Sequence, residues 1–260
     1  MTSRTYLDSI LAWHRHRAEA DTRDLAHLVT RASACGPARG FAGALRGVPH
    51  LAVIAEIKRR SPSKGDLNAG LDPAAVARAY ETGGASCLSV LTDAEHFGGS
   101  GADLVAARSA CRLPVIRKDF TVDPRDVCDA RIMGADCVLL IAAALSASEL
   151  ALMLEVAAEV GIDALVETHD EREIETAVSA GATLVGVNQR DLVTFEVDHE
   201  RAVRVASAIP AGVVRVAESG VRGRADAQSL RAAGYHAVLV GEHLVTAVDP
   251  AVALRDLLVP

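Results

Sequence analysis

The chain has 260 residues, of which 50% are hydrophobic, 3% aromatic and 23% charged. That supplies one large core built from Ala, Val, Leu and Ile rather than from rings, and it excludes a disordered chain. The formal net charge of −7 leaves no basic excess with which to displace counterions from nucleic acid, so no nucleic-acid partner is expected, although a local positive pocket for a small anion stays compatible with it.

The N-terminal 45 or so residues read as a helical extension. Tyr6, Leu7, Ile10, Leu11 and Trp13 fit one face of a helix, and Leu25, Leu28 and Val29 suggest a second, before Gly36-Pro37 and Gly40 break the pattern. The extension is expected to cover one end of the domain that follows. His14 and His16 are two apart and do not share a helix face, and the nine histidines contain no HExxH and no zinc spacing, so no metal site is expected.

From residue 51 onward a unit repeats. Gly84, Gly134, Gly181 and Gly234, about fifty residues apart, each close a helix and open a short apolar run of the kind that forms a strand buried on both faces. A strand–helix unit needs only about 30 residues, so each period holds two. The intervening strands are 51–58, 114–118, 163–167 and 213–218. Helices are expected from Asp72-Pro73 to Thr82, over 102–111, from Asp123-Pro124 to Met133, and over 147–160, 170–180, 199–208, 223–233 and 250–258. Eight alternating units predict an α/β fold, a closed (β/α)8 or TIM barrel, occupying residues 1–260 as a single domain with 1–45 as its extension.

Five cysteines, Cys35, Cys87, Cys111, Cys128 and Cys137, form no CxxC pair and are odd in number, which fits reduced thiols and a cytoplasmic location. The first ten residues carry no signal-peptide core, and the longest apolar run, 137–145, is too short for a bilayer, so no membrane partner is expected. Of the 27 lysines and arginines only three are lysine: Lys58, Lys64 and Lys118. Lysine can deliver a proton or form a Schiff base where arginine cannot, so the retained lysines are candidates for chemistry, with chance and codon usage as the competing account.

Active sites of such barrels lie at the C-terminal ends of the strands. The odd strands end in charge: Glu56 and Lys58 on one side of the first, Lys118 on the third, Glu167 on the fifth, Glu218-Ser219-Gly220 on the seventh. The sixth ends in Asn188-Gln189-Arg190-Asp191. One polar strand end is ordinary; five charged groups converging on one mouth point to acid–base chemistry. Glycines at 220 and 241, a short helix after the eighth strand, and Ser61 in the loop after the first suggest a phosphate site. Lys64 in that loop is either an exposed lysine or part of a closing loop.

These residues resemble the indole-3-glycerol-phosphate synthases. The likeness rests on 54–65 (IAEIKRRSPSKG), 89–93 with Phe97-Gly98, 117–120 (RKDF), 134–141, 165–167, 186–192 (GVNQRDL), 217–220 and 238–242. It implies ring closure, decarboxylation and dehydration of 1-(2-carboxyphenylamino)-1-deoxyribulose 5-phosphate, with no cofactor and no metal, in a monomer or a weakly self-associating protein. Residue by residue it implies Lys118 as the general acid of ring closure and Glu167 as the group that stabilises charge at the anilino nitrogen. Glu56 and Lys58 serve dehydration and hold the substrate. Asn188 and Arg190 position the substrate carboxylate and hydroxyls, and Glu218 and Ser219 contact polar groups. Ser61, Gly220, Gly241 and the amide of Glu242 cradle the phosphate, while Phe97, Phe120 and Leu139 line the aromatic pocket. His243, where the family favours a small residue, either adds a pH-dependent contact to the phosphate or, as expected, points to solvent. The competing readings are another phosphate-binding barrel such as phosphoribosylanthranilate isomerase, which would need a cysteine at the first strand's mouth, a Schiff-base aldolase using Lys118, and a barrel that binds without turnover.

Overall fold

Eight parallel strands close a barrel in chain order: β1 (Ala52–Ile57), β2 (Cys87–Leu91), β3 (Val115–Lys118), β4 (Cys137–Ile141), β5 (Asp163–Thr168), β6 (Leu184–Asn188), β7 (Val214–Glu218) and β8 (Ala237–Val240), with β8 pairing back onto β1. The computed structural model describes residues 5–61, 65–68 and 70–260.

Helices follow the strands on the outside. After the extension, α1 (Tyr6–Glu19), α2 (Leu25–Ser33) and α3 (Phe41–Arg46), come α4 (Pro73–Gly83), α5 (Ala94–Phe97), α6 (Gly101–Ala110), α7 (Pro124–Met133), α8 (Ala147–Val160), α9 (Glu171–Ser179), α10 (Arg201–Val205), α11 (Arg224–Ala232), α12 (Glu242–Val245) and α13 (Pro250–Leu257). The expected starts are built as read: Asp72 and Asp123 each accept a backbone N–H of the first turn, with Pro at the first helical position. The four repeat glycines all take positive φ, between 88° and 99°, which a side chain would strain.

Alternation along the strands divides the core in two. Outward residues such as Val53, Leu88, Val138, Val166, Val185 and Val238 pack under the helices. Inward residues Ala52, Ile54, Cys87, Ile116, Leu139, Leu165, Leu184 and Val214 fill the barrel. On the same inward parity the last position of most strands turns polar: Glu56, Lys118, Glu167, Asn188 and Glu218. Cross-strand register places Glu167 beside Gly186 and Asn188 beside Glu218.

The extension serves both ends of the barrel rather than one. At the mouth, α1 is anchored by His14 Nε2 2.8 Å from Asp93 Oδ2, both buried. Its inward stripe is Ile10 and His14; Trp13, expected on that face, is 46% exposed. At the floor lies α3, a helix that the sequence pattern does not announce. Phe41 and Leu45 are fully buried among the inward residues and seal the barrel from below, and Asp163 at the start of β5 accepts the Ala42 N–H at 2.9 Å. The helix expected over 199–208 is shorter, Arg201–Val205 followed by one 3₁₀ turn. The loop after β1 forms a two-stranded ladder, Arg60–Ser61 against Gly65–Asp66. Lys64 lies outside the described residues, as does the Ser61 side chain. The five cysteines are free, four of them buried. Among the described residues no helix is long and apolar enough to cross a membrane.

Candidate active site

The polar ring at the strand ends opens into a cavity of about 520 Å³ at the mouth. Glu56, Lys58, Lys118, Glu167, Asn188 and Glu218 line it from the barrel side, and Arg190, Ser219, Gly220, Gly241 and Glu242 line it from the loops. Phe97, Phe120 and Leu139 form an apolar wall, the two rings 6.1 Å apart between centroids. The cavity therefore collects every expected residue whose side chain is described; that of Ser61 lies outside the described residues. His243 also lines it and is half-buried, not turned to solvent, because the single turn of α12 points its first residues at the mouth. Among the described residues no cysteine lines the cavity.

Two acid–base pairs face one another. Lys118 Nζ lies 3.0 Å from Glu167 Oε2 and 3.8 Å from Glu218 Oε2. An ammonium has three N–H groups and only the 3.0 Å contact is a hydrogen bond, so two remain for substrate oxygens. Lys58 Nζ donates to Glu56 Oε1 at 2.6 Å, and Ser89 Oγ reaches Glu56 Oε2 at 3.4 Å. Asn188 Nδ2 donates to Glu167 Oε1 at 3.0 Å and its Oδ1 accepts the Arg190 N–H at 3.0 Å, which ties the start of the loop after β6 to Glu167.

Burial and neighbours separate the titrations. Burial alone would push the Lys118 ammonium down, but Glu167, Glu218 and Glu56 together hold its pKa above the ordinary lysine value. Burial acts to raise Glu167, yet Lys118, His169 and Asn188 outweigh it and keep that carboxyl below its usual value. Glu218 goes the other way: burial, with Glu167 and Glu56 nearby, pushes it up to about 8. Its 3.8 Å approach to Lys118 does not offset burial and the two carboxylates. The two carboxyls beside Lys118 are thus driven apart, Glu167 toward the ionised form and Glu218 toward the protonated one.

Glycines shape this arrangement as much as charges do. A Cβ on Gly241 would overlap Glu56 Oε1 and lie 3.1 Å from Lys58 Nζ, so this glycine makes room for the Lys58–Glu56 pair. A Cβ on Gly186 would overlap Glu218 Oε1. Ser219 takes φ 65°, a left-handed conformation rare outside glycine, and Gly220 follows at φ 75°. Strain at Ser219 is held by Gln189 Nε2, which donates to its carbonyl at 2.8 Å.

Sequence reading missed Ser89 and Gly186, although both lie on the inward parity of their strands and alternation could have found them. It also missed the outer wall, Phe195, Val197, His199 and Arg222, which comes from loops without a local signature. One histidine–carboxylate group escaped it as well: His14, Asp93 and His96 bring potential ligand atoms within 4.8 Å of one another. Hydrogen bonds already account for this group, since both rings lean on Asp93, which also caps α5 through the His96 N–H.

The profile of the family described as "Indole-3-glycerol phosphate synthase" matches residues 7–257. The chain is 50% identical over 257 residues to "Indole-3-glycerol phosphate synthase 2" of Streptomyces coelicolor, covering 96% of this chain and 99% of that one. It is 48% identical over 259 residues to "Indole-3-glycerol phosphate synthase" of Mycobacteroides abscessus, covering 99% and 95%. Among solved structures, thiamine phosphate pyrophosphorylase from Pyrococcus furiosus superposes with a TM-score of 0.60 at 16% identity, over 83% of this chain and 95% of that one. A 3-hexulose-6-phosphate synthase superposes with the same TM-score of 0.60 at 16% identity, over 80% and 98%. These two likenesses speak for the barrel alone. The full-length match, together with the two lysine–glutamate pairs at the mouth, leads to one conclusion: the chain belongs to the indole-3-glycerol phosphate synthase family.

Proposed function

We propose that the cavity closes the indole ring of 1-(2-carboxyphenylamino)-1-deoxyribulose 5-phosphate, releases CO₂ and removes water, with Lys118 as the acid of the first step. The observation that carries this reading is the pair of separate lysine–carboxylate contacts, Lys118–Glu167 at 3.0 Å and Lys58–Glu56 at 2.6 Å. The reaction needs proton donors at two moments. In ring closure the aryl carbon attacks the ketone carbon, and the ketone oxygen takes a proton. In dehydration the new hydroxyl takes a second proton and leaves as water, while a proton leaves the ring carbon. Carboxylate loss as CO₂ and hydroxyl loss as water together consume one proton from solvent per turnover.

Lys118 serves the first step. Its raised pKa keeps it charged in the resting site, and an alkoxide is far more basic than any amine, so transfer becomes downhill only as the carbonyl oxygen develops charge. Glu167, ionised beside it, stabilises the positive charge that the anilino nitrogen acquires when its lone pair drives ring closure. Lys58 and Glu56 serve dehydration as acid and base, and Glu218, carrying its proton at neutral pH, donates a hydrogen bond to a substrate oxygen. Phe97, Phe120 and Leu139 take the aromatic ring. Asn188 and Arg190 orient the carboxylate. Ser219 contacts substrate polar groups, and Ser61, Gly220, Gly241 and the Glu242 amide take the phosphate, His243 beside them. One chain supplies the described walls of the cavity, which supports a monomer; the same proposal takes it as a single-domain cytoplasmic enzyme working without cofactor, metal or nucleic-acid partner.

The test is to add this substrate to chelator-treated protein and follow indole fluorescence. Wild type is expected to produce it. Lys118→Arg keeps the charge but cannot release the proton, and is expected to lose at least about a hundredfold in turnover. Near-normal turnover in Lys118→Arg refutes the assignment.

A further inference from the structure

Beyond Glu167 the chain turns back toward the same carboxylate. Thr168 faces away and donates its hydroxyl to the Gly186 carbonyl at 2.8 Å, so His169 returns to the side of Glu167. Its ring is clamped from behind by Glu173, in the first turn of α9, whose Oε2 accepts the His169 backbone N–H at 2.8 Å and faces Nδ1 at 3.1 Å. That makes Nδ1 the N–H donor and aims Nε2 at Glu167 Oε1, 3.9 Å away. Nε2 is buried and has no hydrogen-bond partner among the described residues.

We propose that His169 is a positioning residue for the reaction, held in its protonated form between Glu173 and Glu167 so that a second cation faces Glu167 while Lys118 has given its proton away. The inference rests on the roles assigned above to Lys118 and Glu167. Once Lys118 has protonated the substrate it is a neutral amine, and Glu167 is left buried beside Glu218. Without the Lys118 cation nothing keeps the proton of Glu218 from passing to Glu167, and Glu167 would then lose the charge that stabilises the anilino nitrogen. Asn188 supplies a hydrogen bond but no charge. The imidazolium supplies the charge from the side opposite Lys118, and Nε2–H can close on Oε1 by a small rotation.

The charged groups facing the ring come from three elements. Burial lowers the affinity of His169 for its proton, and Arg201 on α10 opposes it too. Glu173 on α9 and Glu167 on β5 outweigh both, so its pKa stands above the ordinary 6.5. The sign follows: His169 is charged below its raised pKa, and the benefit disappears as pH rises through it.

The experiment is kcat against pH, from about pH 6 to 9, for wild type, His169→Gln, Glu173→Gln and Glu167→Gln. Wild type is expected to show a falling limb as His169 loses its proton, beside the separate one contributed by Glu218. His169→Gln is expected to lose about tenfold in kcat at the acid end, with KM changed by less than about twofold, and to lack that limb. Glu173→Gln, which lies outside the cavity, is expected to move the limb to lower pH because the carboxylate that holds the proton on His169 is gone. The proposal is overturned if the limb persists unmoved in both variants, or if His169→Gln lowers kcat equally at every pH. Should His169→Gln fail to fold, the position of the limb in Glu173→Gln decides alone. Glu167→Gln separates the two layers: if it is inactive while the limb ignores His169 and Glu173, only this proposal falls, whereas wild-type turnover in Glu167→Gln removes the assigned role of Glu167 and the proposal with it.

Discussion

Replacing Glu218 by Gln should stabilise the protein, and do so more as pH rises. Glu218 is fully enclosed, and its pKa moves from the ordinary 4.5 to about 8. A carboxyl raised in the folded state binds a proton there that the unfolded chain has already lost. Its contribution is fully present below pH 4.5 and is lost progressively until about pH 8. Each tenfold difference in proton affinity between the folded and unfolded chain corresponds to about 1.4 kcal/mol, so the cost approaches about 3 kcal/mol at pH 7 and about 5 at its plateau. Glutamine keeps the shape and the hydrogen-bonding groups of the protonated acid but cannot ionise, so it removes the cost. For a chain of this size about 3 kcal/mol corresponds to about 10 °C in Tm. Urea unfolding of wild type and Glu218→Gln at several pH values between 5 and 8.5 reads the effect directly. The two stabilities should converge at the acid end and diverge steadily above it. Parallel curves would mean that Glu218 is ionised at neutral pH and that Lys118 at 3.8 Å governs it after all.

Gly241→Ala should displace the Lys58–Glu56 pair, because the added Cβ overlaps Glu56 Oε1; kcat/KM is expected to fall at least about tenfold with little change in Tm, and wild-type kinetics would show that the pair tolerates the shift. His14→Ala leaves Asp93 buried with only His96 and a backbone N–H, and should cost about 3 kcal/mol and expose α1 to proteolysis. Calorimetry and limited digestion check it, and an unchanged Tm with an intact extension would place the anchor of α1 elsewhere.

What can be read from the chain and what cannot divides along physical lines. Strand parity and helix caps are local, so the eight strands, the Asp-Pro helix starts and the inward polar ends of the odd strands are all visible. Lys118 and Glu167 are legible because charge at a strand end stands out against apolar neighbours. Gly186 and Ser89 share that parity but carry no chemistry of their own; their importance emerges only when Glu218 and Glu56 lean on them. His14 and Asp93 are 79 residues apart, and nothing local links them. The role of His169 depends on where the first turn of α9 places Glu173, a matter of loop geometry rather than of composition. The helix α3 is six residues between glycines, too short for a periodic signal, so in the sequence it is indistinguishable from a break.

That short helix bears on how the chain reaches its fold. Phe41 and Leu45 share one apolar cluster with the inward residues of the barrel, and α3 packs against β1, β2 and, far along the sequence, β7. The segment synthesised among the first thus has a seat drawn from early and late strands of the barrel, which is complete only once β7 is in place with β1 and β2. Such sequence-distant closure is slow, and until it happens a row of apolar side chains stands open at the base of an unfinished barrel. A chain stalled before its last strands would hold α3 without a seat for it, and the two together would form the sticky end by which nascent copies associate.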